Sequence, residues 1–300
     1  RDVAVTGVQT CALPICLSEL YVACAHAAPE KRAAYRKPLH EMYDRILEVG
    51  RNPHGLIWLT VDPRTGRHSE ELTDNWGYNY DGIYTAGLVD GVEAYRAAAR
   101  QALGSLKEHY TGVGGMCQSN TADGYADSIE GAINLFNREP VPSAMAWADA
   151  EIRTMWGRQK ADGVIEGWHG DGNSARTSLM YALWKTQGIL VRPWRADVRF
   201  GAARDGDAVC LVVLADKPWS GRVVFDKPRH KENMHLPLDY PRINQFPEWF
   251  VAEPGAAYSL TDYGLGKTAD VAAEALAAGI PASVAPGSGV WWVIKRRSGL

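Results

Sequence analysis

A mainly helical N-terminal part followed by an all-β domain is the fold class this sequence predicts. Three observations lead there. Up to about residue 190, apolar residues recur at helical spacing between clear start and stop residues. Beyond Val191 the pattern shifts to two-residue alternation broken by Gly, Pro and Asp turns. The stretches between the helices are long and rich in Gly, Asn, Asp and Trp.

Taken in order, Leu17–Ala27 reads as a first helix. A second runs from Pro29, a good first-turn residue, to Val49, where Gly50 stops it; Pro38 is expected to kink it. Leu56–Val61 and the turn Asp62-Pro63-Arg64-Thr65-Gly66 suggest a short hairpin. Helices then resume at about Tyr80–Asp90, Val92–Tyr110, Asp123–Asn137, Pro142–Lys160 and Asn173–Gly188. Val191-Arg192-Pro193-Trp194 marks the expected boundary. Asp197–Ala203 and Ala208–Leu214 flank the strong hairpin turn Asp205-Gly206. Gly221–Phe225, Trp249–Ala252, Ala257–Leu260 and Val290–Arg296 read as further strands. Asp270–Ala278 is Ala-rich, and helix competes there with strand or loop. The simplest arrangement for these strands is a sandwich.

Val5–Ile15, VTGVQTCALPI, matches the in-frame translation of a common sequencing adapter. Residues 1–16 are therefore expected to be an artefactual tail without a stable packing partner, excluded from fold reasoning. Two domains follow, 17–190 and 191–300. The signal for export, if any, would lie upstream of the junction.

The chain has 300 residues and a formal net charge of -3. That mildly acidic balance argues against sequence-independent nucleic-acid binding, which needs basic stripes. No apolar run approaches the roughly 20 residues that span a bilayer, so no membrane partner is expected. Outside the tail and its junction, Cys24, Cys117 and Cys210 are widely spaced, and neither a disulfide framework nor zinc spacing follows. His230 and His235 lack a third ligand nearby in sequence, and no metal or other cofactor is expected. The aromatic balance is more telling, with 11 Trp and 13 Tyr against 5 Phe. Trp and Tyr combine a flat apolar face with a polar handle, which suits sugar rings as well as protein cores.

Three segments carry candidate chemistry. In Thr73-Asp74-Asn75-Trp76-Gly77-Tyr78-Asn79-Tyr80-Asp81 nearly every side chain can hydrogen-bond or stack, and Gly77 permits close backbone approach. It reads as a loop entering a helix, with Asp81 near the helix N-terminus. In Asp123–Asn134, a 3.6-residue period brings Asp123, Asp127, Glu130 and Asn134 within about 60° of one another. The choice is between a solvated acidic face and carboxylates facing a cavity, where neighbours push pKa values apart. In Gly167-Trp168-His169-Gly170-Asp171-Gly172-Asn173, glycines thin the backbone around His169, a general acid or base near neutrality, and Asp171; Asn173 or Asp171 also suits a helix cap, with Arg176 one turn on. The Pro-rich stretch from Phe225 to Phe250 reads instead as a packing loop.

Helical pairs joined by Trp/Tyr/Asn/Asp-rich loops and followed by a β-sandwich resemble the six-hairpin (α/α)-toroid carbohydrate-active enzymes, among them glucuronyl hydrolase-like glycosidases and heparinase-type polysaccharide lyases. Asp74-Asn75-Trp76-Gly77-Tyr78, Asp127 to Glu130 and Trp168-His169-Gly170-Asp171 carry the likeness. It implies an incomplete (α/α) toroid of helical hairpins over 17–190, an open arc of helices, and a sandwich over 191–300. It also implies a glycoside hydrolase on a poly- or oligosaccharide, using two carboxylates from Asp81, Asp127, Glu130 and Asp171. Trp76, Tyr78, Tyr80 and Trp168 would stack on sugar, with Asp74, Asn75 and Asn173 binding it and Arg176 meeting a uronate carboxylate. A polysaccharide lyase is the alternative, with His169 and Tyr78 or Tyr125 moving the proton and Asn75 or Arg176 neutralising the uronate. A non-catalytic carbohydrate-binding module is the third. The substrate is the one expected partner, and a secreted or periplasmic location goes with it.

Overall fold

The computed structural model describes residues 7–110, 122–165, 172–242 and 246–297. Two compact units divide the chain: Arg1–Met180 with Tyr240–Pro247, and Tyr181–Asp239 with Glu248–Leu300.

The first unit is helical. Its elements are α1 (Gly7–Ala27), α2 (Pro29–Val49), α3 (Trp76–Asp90), α4 (Glu93–His109), α5 (Ala122–Phe136), α6 (Pro142–Trp156) and the first half of α7 (Asn173–Thr186). Pro29 and Pro142 open their helices, where a missing N–H costs nothing. Gly91 ends α3 in the left-handed region at φ 68°, which glycine adopts without strain. The α2 helix runs on through Pro38. Between α2 and α3 the expected hairpin is reduced to isolated bridges, Trp58 to Leu72 and Val61 to His68.

These helices pack in a two-row pattern. Consecutive helices pair as α1–α2, α3–α4 and α5–α6, while α1–α3–α5 form one row and α4–α6 pack in another. Burial follows the rows. In α4 one stripe, Tyr95, Ala98, Ala99, Ala102, Leu103 and Leu106, faces inward. Helices α3 and α5 are buried almost all round, as helices with neighbours on several sides must be. Ile15 on α1 is buried, so the expectation that the first sixteen residues lack a packing partner does not hold at that position.

The second unit holds two antiparallel sheets. One has strand order β1-β4-β7, from β1 (Leu190–Arg192), β4 (Trp219–Val224) and β7 (Ile280–Val284). The other has order β2-β3-β8-β5-β6, from β2 (Val198–Asp205), β3 (Ala208–Ala215), β8 (Gly289–Arg296), β5 (Ala257–Asp262) and β6 (Lys267–Ala272). Side chains from both sheets, such as Val223 and Val284 with Val209, Leu211 and Ile294, share one core, a sandwich-like arrangement. Strand β3 alternates strictly between buried and half-buried positions, and Asp205 pairs with Ala208 across the expected turn. Trp249–Ala252 is not a strand; Val251 makes only an isolated bridge with Asp226. Asp270–Ala278 divides into the end of β6 and a short helix, Ala273–Ala278.

Candidate functional site

Two glycines set the geometry. An added Cβ on Gly131 would stand 2.6 Å from the Cα of Gly77, and one on Gly77 would come closer still to Gly131. Helices α3 and α5 therefore touch backbone to backbone at this crossing. Gly77 does permit close approach, and here its neighbour is another helix.

That crossing puts the residue after Gly77 against the residue before Gly131. The Tyr78 hydroxyl lies 2.8 Å from Asp127 Oδ1 and 2.9 Å from Glu130 Oε2. Helix α7 closes the third side. Its Thr177 hydroxyl donates to the Ala126 carbonyl at 3.0 Å, and its Asn173 amide donates to Asp123 Oδ1. With Asn173 and Thr177 on the α5 backbone and its acids, Arg176 falls between them. Its guanidinium pairs with Glu130 Oε2, stands 3.6 Å from Asp127 Oδ1 and reaches the Tyr78 hydroxyl at 3.4 Å. Asp74 is tied to the same helix through its carbonyl, which accepts from Ser128 Oγ at 2.9 Å.

The acids in this cluster differ in access. The Glu130 side chain is 0% exposed and Asp127 is 14% exposed, with Arg176 at 18%. Burial pushes the Asp127 carboxyl well above the usual carboxylate range. The Asp123 charge adds to that, and the Tyr78 hydrogen bond opposes it. Burial also raises Asp74, again with help from Asp123. The Tyr78 phenol is driven well above its ordinary value by burial and by the flanking Asp127 and Glu130, against the pull of Arg176. Asp127 is thus a carboxyl held above the usual carboxylate range that still meets solvent.

The acidic face of α5 is not a plain solvated one, since Glu130 and Asn134 are buried. Asp81 is fully buried too, and neither of its oxygens has a hydrogen-bond partner in good geometry. Burial raises its carboxyl far above the normal range, and Glu130 adds to it. Arg138 and the Asn134 side chain pull the other way and lose. Asp81 therefore sits inside α3, sealed from solvent, rather than at a helix N-terminus facing substrate.

The expected loop 73–81 is a correction as well, because α3 begins at Trp76. Trp76 and Tyr80 are fully buried. Trp76 packs edge-on against Tyr80 and Tyr110, and the Tyr80 hydroxyl is spent on the Gly55 carbonyl. Neither presents a face to a sugar. Asn75 occupies the N-cap position and donates its side-chain amide to Asp74 Oδ1 at 2.8 Å. Trp168, His169 and Asp171 lie outside the described residues. Sequence reasoning missed the linking roles of Asp123 and Ser128. Asp123 was visible as the first member of the α5 stripe, whereas nothing local to Ser128 announces its bond to Asp74.

No family model matches the chain, and no curated protein matches it. Among the described residues, no helix is long and apolar enough to cross a membrane.

Proposed function

We propose that this protein is a carbohydrate-active enzyme, a glycoside hydrolase of poly- or oligosaccharides, with Asp127 as its general acid. The observation that carries the reading is the state of Asp127, a reachable carboxyl whose pKa burial and Asp123 raise, fixed in place by Tyr78. A glycosidic oxygen is a poor leaving group until a carboxylic acid protonates it, and an acid of raised pKa is the form that can.

The second carboxylate in this reading is Asp123, one helical turn before Asp127. Its charge is one of the causes that raise Asp127, the pairing of unlike carboxyl states that separates acid from nucleophile or base. Glu130 serves as a positioning residue: sealed from solvent, it neutralises Arg176 and holds Tyr78. Because Arg176 is already engaged by Glu130, the substrate need not carry a uronate.

The helical unit is read as part of an (α/α) toroid. Its support is the two-row packing of α1–α3–α5 and α4–α6, with the acids on the most buried row. The polysaccharide lyase reading loses ground at Tyr78. A base must lose its proton, and burial first, then the carboxyl groups beside this phenol, oppose that.

Incubation with a panel of neutral and uronate-containing oligosaccharides tests the reading. A hydrolase releases new reducing ends with no new ultraviolet-absorbing product. Growth of an absorbing unsaturated product would make it a lyase. No turnover of any member would favour the binding-module reading.

A further inference from the structure

A second group of side chains converges in the β unit. After β4 the chain makes a single helical turn, α8 (Arg229–Glu232), continues to Asp239 and contributes again at Glu248. One ring nitrogen of His230 and one carboxyl oxygen each of Asp239 and Glu248 lie within 4.8 Å of one another. The His230 Nδ1 is 3.0 Å from both oxygens of Glu248. The backbone N–H of His230 donates to Glu248 Oε1 at 2.6 Å, so the main chain as well as the ring fixes that carboxylate. The Glu248 side chain is 6% exposed and that of His230 18%. The neighbouring cations have acids of their own, Lys227 with Glu232 and Arg229 with Asp226, each at 2.9 Å.

An imidazole and two carboxylates, brought together from three separate points of the chain, form a donor set suited to zinc and similar divalent transition metals. We propose that His230, Asp239 and Glu248 form a binding site for a divalent transition-metal cation, with zinc the ion that fits best. Bonds of about 2.0–2.2 Å to zinc require the three donors to draw together from their present spacing. Three protein ligands leave a fourth position for water. The ion would clip α8 to the Glu248 segment. His235, the other histidine of this stretch, is not part of the group.

The test uses the full chain, stripped with a chelator, given zinc chloride and passed through a desalting column. Bound zinc is counted by mass spectrometry, and melting is followed with and without zinc. The site predicts about one tightly held zinc per chain and a zinc-dependent rise in melting temperature. Asp239→Asn and His230→Gln should each weaken zinc binding about tenfold or more, a loss typical of damaged metal sites, while melting in chelator stays near that of the wild type. Absence of retained zinc in the folded wild type would overturn the proposal. Wild-type zinc affinity in both variants would overturn it too, since it would place the zinc on other residues.

Discussion

The Cα of Gly77 and the Cα of Gly131 face each other so closely that neither position has room for a methyl group. Everything in the acidic cluster depends on this contact, because Tyr78 follows one glycine and Glu130 precedes the other. Gly77→Ala and Gly131→Ala should each destabilise the protein by about 1–3 kcal/mol or more, the usual cost of overpacking. Chemical denaturation measures the loss. Activity should fall further than stability explains, because the helices must part and Tyr78 moves off its carboxylates.

Tyr78→Phe tests how Asp127 is tuned. The phenol's hydrogen bond favours the charged carboxylate and lowers the pKa of Asp127. Removing it raises that pKa further. A general acid works only while protonated, so the alkaline limb of the pH–rate profile should move to higher pH in Tyr78→Phe. A shift to lower pH would show that another group sets the limb.

Asp81 should make the protein less stable as pH rises. Its folded pKa lies far above the unfolded value. Its contribution is therefore complete below the unfolded pKa, near 4, and is lost as pH climbs toward the folded one. Asp81→Asn cannot ionise. It should melt higher than the wild type at neutral pH and show a flatter decline from acid to alkaline pH. Asp127 leaves a slope of the same sign. Calorimetry across that range separates the two.

Glu139 should act with the opposite sign. Burial alone would raise its pKa, but hydrogen bonds from Arg96, Tyr84 and Arg100 outweigh it and hold the carboxyl below its usual range. Stability from this group is present above the unfolded pKa and disappears as pH falls through the folded one. Glu139→Gln should weaken the protein by about 1 kcal/mol at neutral pH, a modest figure because both arginines are partly exposed. Acid should then cost the variant less than it costs the wild type.

Much of the fold was legible where local chemistry and packing agree. Pro29, Pro142 and Gly91 mark helix ends by conformation alone, and Asp205-Gly206 marks its hairpin. The start of α3 was not legible. Asn, Gly and aromatic residues are weak helix formers, and burial of Trp76 and Tyr80 overrides that preference. Strand β7 was missed because Pro281 interrupts its pattern, yet β7 is an edge strand, where a missing donor is tolerated. The acids Asp127 and Glu130 could be picked from their spacing on α5. Their link to Tyr78 and Arg176 could not, since it exists only once two glycines bring α3 onto α5 and Asn173 docks α7 beside them.

The leaving-group dependence of Asp127→Asn tests the central claim most directly. A highly activated aryl glycoside needs no proton to depart, whereas an ordinary glycosidic oxygen does. If Asp127 is the general acid, the variant should lose about 10²–10⁴-fold in kcat/KM on an unactivated oligosaccharide and keep most of its kcat/KM on the activated one, since that ratio reports the step in which the leaving group departs. Equal losses on both substrates, or no loss on either, would contradict that role.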